Sequence, residues 1–248
     1  MSDDYHIRYS RQMALDEISI SGQKRLKAAS VIIIGAGGIG SPVAYYLAAA
    51  GVGKIGIADY DNVELSNLNR QIVHTAANTG MPKSESAAMT IRAFNPGIEI
   101  KTYNLKVAKD NIKELISSYD LIIDGVDNFE GKYLINDTCV ALKKTFIHGG
   151  VLKFKGQVFV YQPGSGCLRC MIPDEPVNSG VSAGEYGGIL GAFAGIIGSL
   201  QAAEAVKIIA GYGEPLVNTL LSVDGLSSSF KKIAFNKDPN CPVCKKQL

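Results

Sequence analysis

The sequence carries little net charge. Its 25 lysines and arginines against 23 aspartates and glutamates leave +2 at pH 7, and the basic residues are scattered rather than clustered. That absence removes the electrostatic footprint that nucleic acid or an anionic membrane demands, so neither is an expected partner. No Pro/Ser-rich linker and no internal repeat interrupts the 248 residues, of which 46% are hydrophobic and only 19% charged. One domain with a single substantial core is expected across 1–248. The first residues, Met1-Ser2-Asp3-Asp4-Tyr5-His6, have neither a basic n-region nor an apolar h-region, so no secretory leader is read there and the expected compartment is the cytoplasm. One uncharged run, Tyr186 to Ala203, approaches bilayer length. Ser199, Gln201 and its glycines interrupt it, and Glu204 and Lys207 continue the same helical run, so a buried core helix is expected.

What is present starts with Val31-Ile32-Ile33-Ile34-Gly35-Ala36-Gly37-Gly38-Ile39-Gly40, then Ser41 to Gly51 and Lys54-Ile55-Gly56-Ile57-Ala58-Asp59. It reads as strand, glycine turn, helix, strand. Gly35, Gly37 and Gly40 fall on the G-x-G-x-x-G spacing: the first allows a tight turn, the second lets backbone approach a phosphate, the third lets helix pack on strand. Asp59, at the end of the second strand, is placed to accept hydrogen bonds from a ribose hydroxyl. Glycine turns are common, and a purely structural turn is the alternative. The flanking strand and Asp59 favour a nucleotide.

The expected fold is α/β: a doubly wound, Rossmann-like, mostly parallel sheet with a C-terminal antiparallel extension. Residues 1–30 form a helical arm, 31–150 the nucleotide-binding core, and 151–248 the extension, a loop and a metal clip. After Asp59 comes a polar, turn-prone segment, residues 60–71, beside the nucleotide corner. Pro82 opens a helix over 83–94; strands follow over 98–105, 121–128 and 145–148, with helices over 110–118 and 130–143. The strand at 121–128 delivers Asp127 to the same rim as Asp59, because open parallel sheets bind ligands at their strands' carboxyl ends. Residues 156–161 alternate without an intervening helix, which predicts an antiparallel strand; 216–223 and 229–235 are two more. Met171 to Gly188, rich in glycine and proline, is a long loop of the kind that is functional or mobile.

Two constellations carry chemistry. Cys167-Leu168-Arg169-Cys170 and Cys241-Pro242-Val243-Cys244 are paired C-x-x-C motifs, which suit one tetrahedral zinc with no open position, hence a structural site that clips the C-terminal tail to the body. Thioredoxin-like redox chemistry and unliganded buried thiols are the alternatives. Cys139, in an apolar helix, reads as core. The second constellation is Arg70, Lys83, Asn67 and Asp127 around the nucleotide. A dehydrogenase needs few cations beyond its ribose carboxylate, whereas a triphosphate needs several as pyrophosphate leaves, with magnesium on a carboxylate such as Asp127. Either cation alone would read as a solvated surface charge.

The combination Arg8-Tyr9-Ser10-Arg11-Gln12, the glycine turn, Asp59-Tyr60-Asp61, Ser66-Asn67-Leu68-Asn69-Arg70-Gln71, Pro82-Lys83, Val126-Asp127-Asn128 and the two C-x-x-C pairs resembles the ThiF/MoeB/HesA family, bacterial relatives of ubiquitin-activating enzymes. The resemblance runs over nearly the whole chain. It implies an adenylyltransferase that uses Mg-ATP to activate the C-terminal glycine of a ubiquitin-like sulfur-carrier protein ending in Gly-Gly, releasing pyrophosphate, for thiamin, molybdopterin or related biosynthesis. It implies a homodimer with shared sites. By motif, Gly38 and Asp59 hold phosphate and ribose, Ser66, Asn67, Leu68, Asn69, Arg70, Gln71 and Lys83 surround the triphosphate, and Asp127 with Asn128 holds magnesium and adenylate. Arg11 reaches the partner subunit's triphosphate. Two positions depart from the family: Val126 stands where a threonine is frequent, and the loop over 171–188 has no cysteine, only Ser179 and Ser182. Sulfur delivery is then left to a separate persulfide donor. Competing readings are a nicotinamide-dependent oxidoreductase, a zinc-stabilised binding protein without chemistry, and adenylation of a small carboxylate on a modified tRNA.

Overall fold

The apolar runs flanking the glycine turn become β1 (Ser30–Ile34) and β2 (Lys54–Ala58), paired in parallel with Ile33 opposite Ile57. The computed structural model describes residues 3–174, 180 and 187–245. Around this pair grows one eight-stranded sheet of order β3-β2-β1-β4-β5-β6-β7-β8. β3 (Glu99–Tyr103), β4 (Leu121–Asp124) and β5 (Thr145–Leu152) run parallel to β1 and β2. β6 (Lys155–Tyr161), β7 (Thr219–Asp224) and β8 (Ser229–Ala234) continue antiparallel.

Because side chains alternate along a strand, β1 feeds two cores at once. Val31 and Ile33 join a cluster with Val43 and Leu47 of α3 (Gly40–Ala50), Ile91 of α4 (Lys83–Phe94) and Ile197 of a 20-residue helix, Gly191–Ala210. Ile32 and Ile34 join another with Ile116 of α5 (Ile112–Ser117), Tyr133 of α6 (Phe129–Ala141) and the buried cysteines Cys167, Cys241 and Cys244. The short α7 (Leu168–Met171) carries the first cysteine pair, and Gly191–Ala210 is α8. Two N-terminal helices, α1 (Asp3–Met13) and α2 (Ser19–Ala28), precede the sheet. Helices on both faces and a crossover that reverses at β1 make the parallel part doubly wound.

By length and composition α8 resembles a membrane span. Here it lies on the sheet, with Phe193, Ala194, Ile197, Ala202 and Ala205 buried and Gln201 donating to the carbonyls of Asp124 at 2.9 Å and Ile147 at 3.0 Å. The sequence-expected start at Tyr186 lies outside the described residues, as does most of the loop over 171–188, including Ser179 and Ser182. Several strand limits differ from expectation. The strand expected over 121–128 ends at Asp124, so Asp127 lies in the turn that follows it, and the strand expected over 98–105 covers Glu99–Tyr103. β5 runs on from His148 to Leu152 because Gly149 and Gly150 are strand residues, not a break: a Cβ on Gly149 would stand 2.6 Å from the Gln201 carboxamide, so glycine marks a close approach. β7 starts at Thr219 rather than 216, since Val217 first makes an isolated parallel bridge to Val160.

Candidate active site at the carboxyl ends of the parallel strands

The glycine turn has the geometry its spacing requires. Gly35 takes φ +98°, and a Cβ there would lie 2.7 Å from the carbonyl of Gly125, where β1 and β4 part at the switch of strand order. A Cβ on Gly40 would lie 1.9 Å from the Gly35 carbonyl, so only glycine lets α3 begin this close to the strand. Gly37, by contrast, faces open space, with the Gln71 amide 3.8 Å from its would-be Cβ. The N–H groups that open α3 are thus presented to a cavity, the arrangement that binds phosphate. His74 braces the turn from below: Nε2 meets the Ala36 carbonyl at 2.9 Å and Nδ1 meets Ser86 Oγ at 2.9 Å. Burial holds its pKa below the usual histidine range.

Asp59 follows β2, its carboxylate accepting Ala36 N at 2.8 Å and Asp61 N at 2.9 Å. Burial nevertheless raises its pKa, against the pull of those N–H groups and of Lys83. Hydroxyl donors from a bound sugar would relieve that cost. Lys83, buried at the start of α4, is paired with Asp61 Oδ2 at 2.8 Å. Arg70 donates to Ser66 O at 2.9 Å and Asn69 Oδ1 at 3.1 Å while lining the cavity. Asn67 closes a capping box on the 3-10 turn Leu65–Asn67, accepting Glu64 N at 3.1 Å, and Ser66 Oγ donates to Glu64. Gln71 is buried and its Oε1 is unpartnered.

Asp127 sits in the exposed turn between β4 and α6, and Asn128 caps α6 by accepting Gly131 N at 2.8 Å. One cavity of about 1690 Å³ gathers these residues. Gly35, Gly37, Gly38, Asp59, Arg70, Gln71, Lys83, Asp127 and Asn128 all line it. Gly40, Ser66, Asn67, Leu68 and Asn69 do not, and serve as the framework behind the wall. The volume exceeds the roughly 300–1,000 Å³ of an ordinary small-molecule site. It continues past the nucleotide corner along Gly150, Gln157 and Ser222 of the antiparallel part, giving room for a second, extended substrate.

Arg11 is elsewhere. The arm docks at the amino ends of the strands: Tyr9 is buried against Gly51, its hydroxyl accepts Asn95 Nδ2 at 2.8 Å, and Gln12 donates to Ala50 O at 3.1 Å. Arg8 reaches Phe94 O. The length of β2, about 17 Å for five residues, separates this corner from Asp59. Arg11 is exposed and outside the cavity of its own chain.

On the face carrying α5 and α6, the sulfurs of Cys167, Cys170, Cys241 and Cys244 all lie within 4.8 Å of one another, without a disulfide. Cys167 and Cys241 stand 3.7 Å apart, Cys170 and Cys244 3.4 Å, and Cys167 and Cys170 4.0 Å. A tetrahedron of sulfurs each about 2.3 Å from zinc has edges of about 3.8 Å, so the set fits zinc. N–H groups of Asp238 and Asn136 point at Cys170 and Cys167. Cys139 is buried, and burial pushes its thiol pKa well up, which leaves it inert. Sequence reasoning missed one polar group behind the rim, Asp124 with Lys132 and His148, all buried. Its only signal was an acid ending a buried strand.

The profile of the ThiF family matches residues 9–243. The chain is 41% identical over 243 residues to a sulfur carrier protein adenylyltransferase of Thermus thermophilus, covering 96% of this chain and 90% of that protein. It is 45% identical over 239 residues to an adenylyltransferase and sulfurtransferase MOCS3 of Aedes aegypti, covering 96% of this chain and 55% of that one. It thus spans about half the length of the MOCS3 relatives. Among solved structures, E. coli MccB with ATP superposes with a TM-score of 0.85 at 25% identity, over 99% of this chain and 77% of that one.

Proposed function

The chain belongs to the ThiF family, and from that premise we propose that it is an ATP-dependent adenylyltransferase acting on the C-terminal glycine carboxylate of a ubiquitin-like sulfur-carrier protein. The observation that carries the reading is one cavity at the switch of strand order, where a phosphate-ready glycine turn, Asp59, Arg70, Lys83 and Asp127 converge and from which a groove extends along Gly150 and Gln157. A nucleotide occupies the first part. A peptide tail occupies the second.

The carrier's carboxylate oxygen attacks the α-phosphorus in line; the new P–O bond forms as the bond to the bridging oxygen breaks, and pyrophosphate departs with that electron pair. Little covalent help is needed, so the chain's contribution is positioning and charge stabilisation. Asp59 orients the ribose and the turn at Gly37 and Gly38 holds phosphate. Arg70 and Lys83 meet the charge that grows on the leaving pyrophosphate, Lys83 being aimed by its bond to Asp61. Asp127, exposed at the rim, is the residue to hold magnesium, which when bound neutralises the phosphates. Asn128 has its carboxamide oxygen engaged as the α6 cap, leaving its amide for the adenylate. Arg11 serves the site of a second copy in a homodimer, a role supported by its docking far from its own cavity. The four cysteines hold a structural zinc, and their reduced state suits the cytoplasm. With Cys139 inert, sulfur arrives from a separate persulfide donor.

The test is ATP–pyrophosphate exchange with purified ubiquitin-like carriers, read alongside mass spectrometry of the carrier. Exchange that depends on a terminal Gly-Gly, with formation of a carrier adenylate, is the expected result. Exchange without any carrier, or tight binding of NAD in place of ATP, refutes the assignment.

A further inference from the structure

Behind the rim lies a buried polar cluster that the proposed chemistry does not use. Asp124, at the end of β4, receives the Val126 amide at 3.2 Å, Lys132 Nζ at 3.2 and 3.1 Å, and His148 Nδ1 at 2.8 Å. Lys132 also donates to the Gly149 carbonyl at 2.5 Å. Lys132 Nζ is held between the Asp124 carboxylate and the Gly149 carbonyl, so although Lys132 lines the cavity its charge is already paired within the wall. The Asp124 carboxylate can only accept, so the imidazole proton sits on Nδ1 and points at it, leaving Nε2 to accept from the Gln157 amide at 3.0 Å. Gln157 in turn lines the cavity. The chain Lys132, Asp124, His148, Gln157 therefore leaves the cavity wall and returns to it through the protein interior.

Stability alone does not account for such a cluster, since well-packed apolar residues do as well in the place of a buried ion pair. Its geometry does. We infer that Asp124 is a positioning residue for the proposed reaction: its carboxylate ties the turn that carries Asp127, the first turn of α6 and the β5–β6 hairpin into one block. The Val126 amide fixes the turn, Lys132 fixes α6, and His148 with the Lys132 bond to Gly149 fixes the hairpin. The block sets the separation between Asp127 and the wall at Gly150 and Gln157, along which the carrier tail runs on the adenylation reading, and the inference rests on that reading for its kinetic consequence. A misplacement of about 1 Å between reacting groups costs on the order of 100-fold in rate.

The test is the double variant Asp124→Asn/Lys132→Met, which removes both charges together and leaves no buried ion unpaired. It is expected to fold, to bind ATP within about threefold of the wild type, and to lose about 100-fold in kcat for carrier-dependent exchange, with amide hydrogen exchange faster across 124–131 and 145–152. Wild-type kcat in the folded double variant overturns the inference. Should the double variant not fold, Lys132→Gln keeps a donor for Gly149 and Lys132→Met does not: a retained rate in the first with loss in the second supports the inference, and equal rates overturn it. If the wild type shows no exchange with any Gly-Gly carrier, the adenylation reading falls by itself. Amide exchange still decides the block, because unchanged protection of 124–131 in the double variant refutes it without reference to activity.

Discussion

At the carboxyl ends of β1, β2 and β4 the polar side chains are held by neighbouring side chains and backbone: Lys83 by Asp61, Arg70 by the Ser66 carbonyl and Asn69, Asn128 by the Gly131 N–H. Beside α6 the cysteine sulfurs, contributed by segments 74 residues apart, all lie within 4.8 Å of one another, and backbone and amide N–H groups point at them. The first region is built to exchange partners. On the proposed reading the bonds of Lys83 and Arg70 are traded for ones to phosphate as ATP arrives and pyrophosphate leaves, while Asn128 keeps its cap on α6. On the zinc reading the second is filled once, since four thiolates on one tetrahedral ion leave no position for a reactant. A site that turns over keeps its residues occupied between turnovers; a structural metal site has nothing else for its ligands to do.

The comparison is broken most directly at Asp127. It is exposed and lies outside the packed core, so Asp127→Ala should leave stability within about 0.5 kcal/mol while lowering exchange by about 1,000-fold. A matching loss of melting temperature would move Asp127 from the chemistry to the framework. The same variant tests whether the site is shared. Mixed in equal amounts with Arg11→Ala, random reassortment of dimers leaves about a quarter of the composite sites intact, so about a quarter of wild-type activity should return. No recovery after confirmed subunit exchange means that Arg11 does not act across subunits.

Next comes the proposed zinc. Removing it with a chelator, or changing Cys241→Ser, should lower Tm by roughly 10 °C, because loss of a structural site is worth several kcal/mol and each moves a domain of this size by about 2–4 °C. ATP affinity of the protein still folded should stay within about twofold, since the zinc ligands and the glycine turn share no partner. A chelator that leaves Tm unchanged would show that the thiols do not depend on a metal.

What the sequence disclosed follows the same division. The glycine turn was readable because the spacing of Gly35, Gly37 and Gly40 encodes a backbone geometry, and geometry of that local kind survives in a linear string. The cysteine pairs were readable as a cluster because two C-x-x-C motifs each bring two thiols to one turn at ligand spacing. The arm was half readable: its motif was visible, but only the structure shows that Tyr9 and Gln12 are there to dock it and that Arg11 is the residue left over. The end of β5 was misread because Gly149 and Gly150 look like a turn unless one knows that Gln201 fills the space. Asp124 was the least legible. In the string it is one strand-end acid beside Asp59 and Asp127, and nothing local says that Lys132 on the next helix and His148 on the next strand close over it.

The smallest effect separates the two regions by pH. Burial lowers the pKa of His74, under the glycine turn, and of His148, in the Asp124 cluster, so both are held neutral in the folded chain. The unfolded chain binds a proton at each near its ordinary value of about 6.5. As pH falls below that value the unfolded state gains protons that the native state refuses, so the stability these residues contribute is present above 6.5 and lost toward each folded pKa, by at most about 1.4 kcal/mol per pH unit per histidine. Thiolates bound to zinc also take up protons in acid, so the slope of the wild type alone mixes both regions. The difference between wild type and His74→Gln does not. Denaturant titrations of the two between pH 7 and 5.5, with zinc in excess, should show the variant less stable at pH 7, where the Ala36 and Ser86 contacts are lost, and the gap should narrow as pH falls. A gap that stays constant would mean that His74 is protonated equally in both states, and that its contacts under the glycine turn place no demand on its charge.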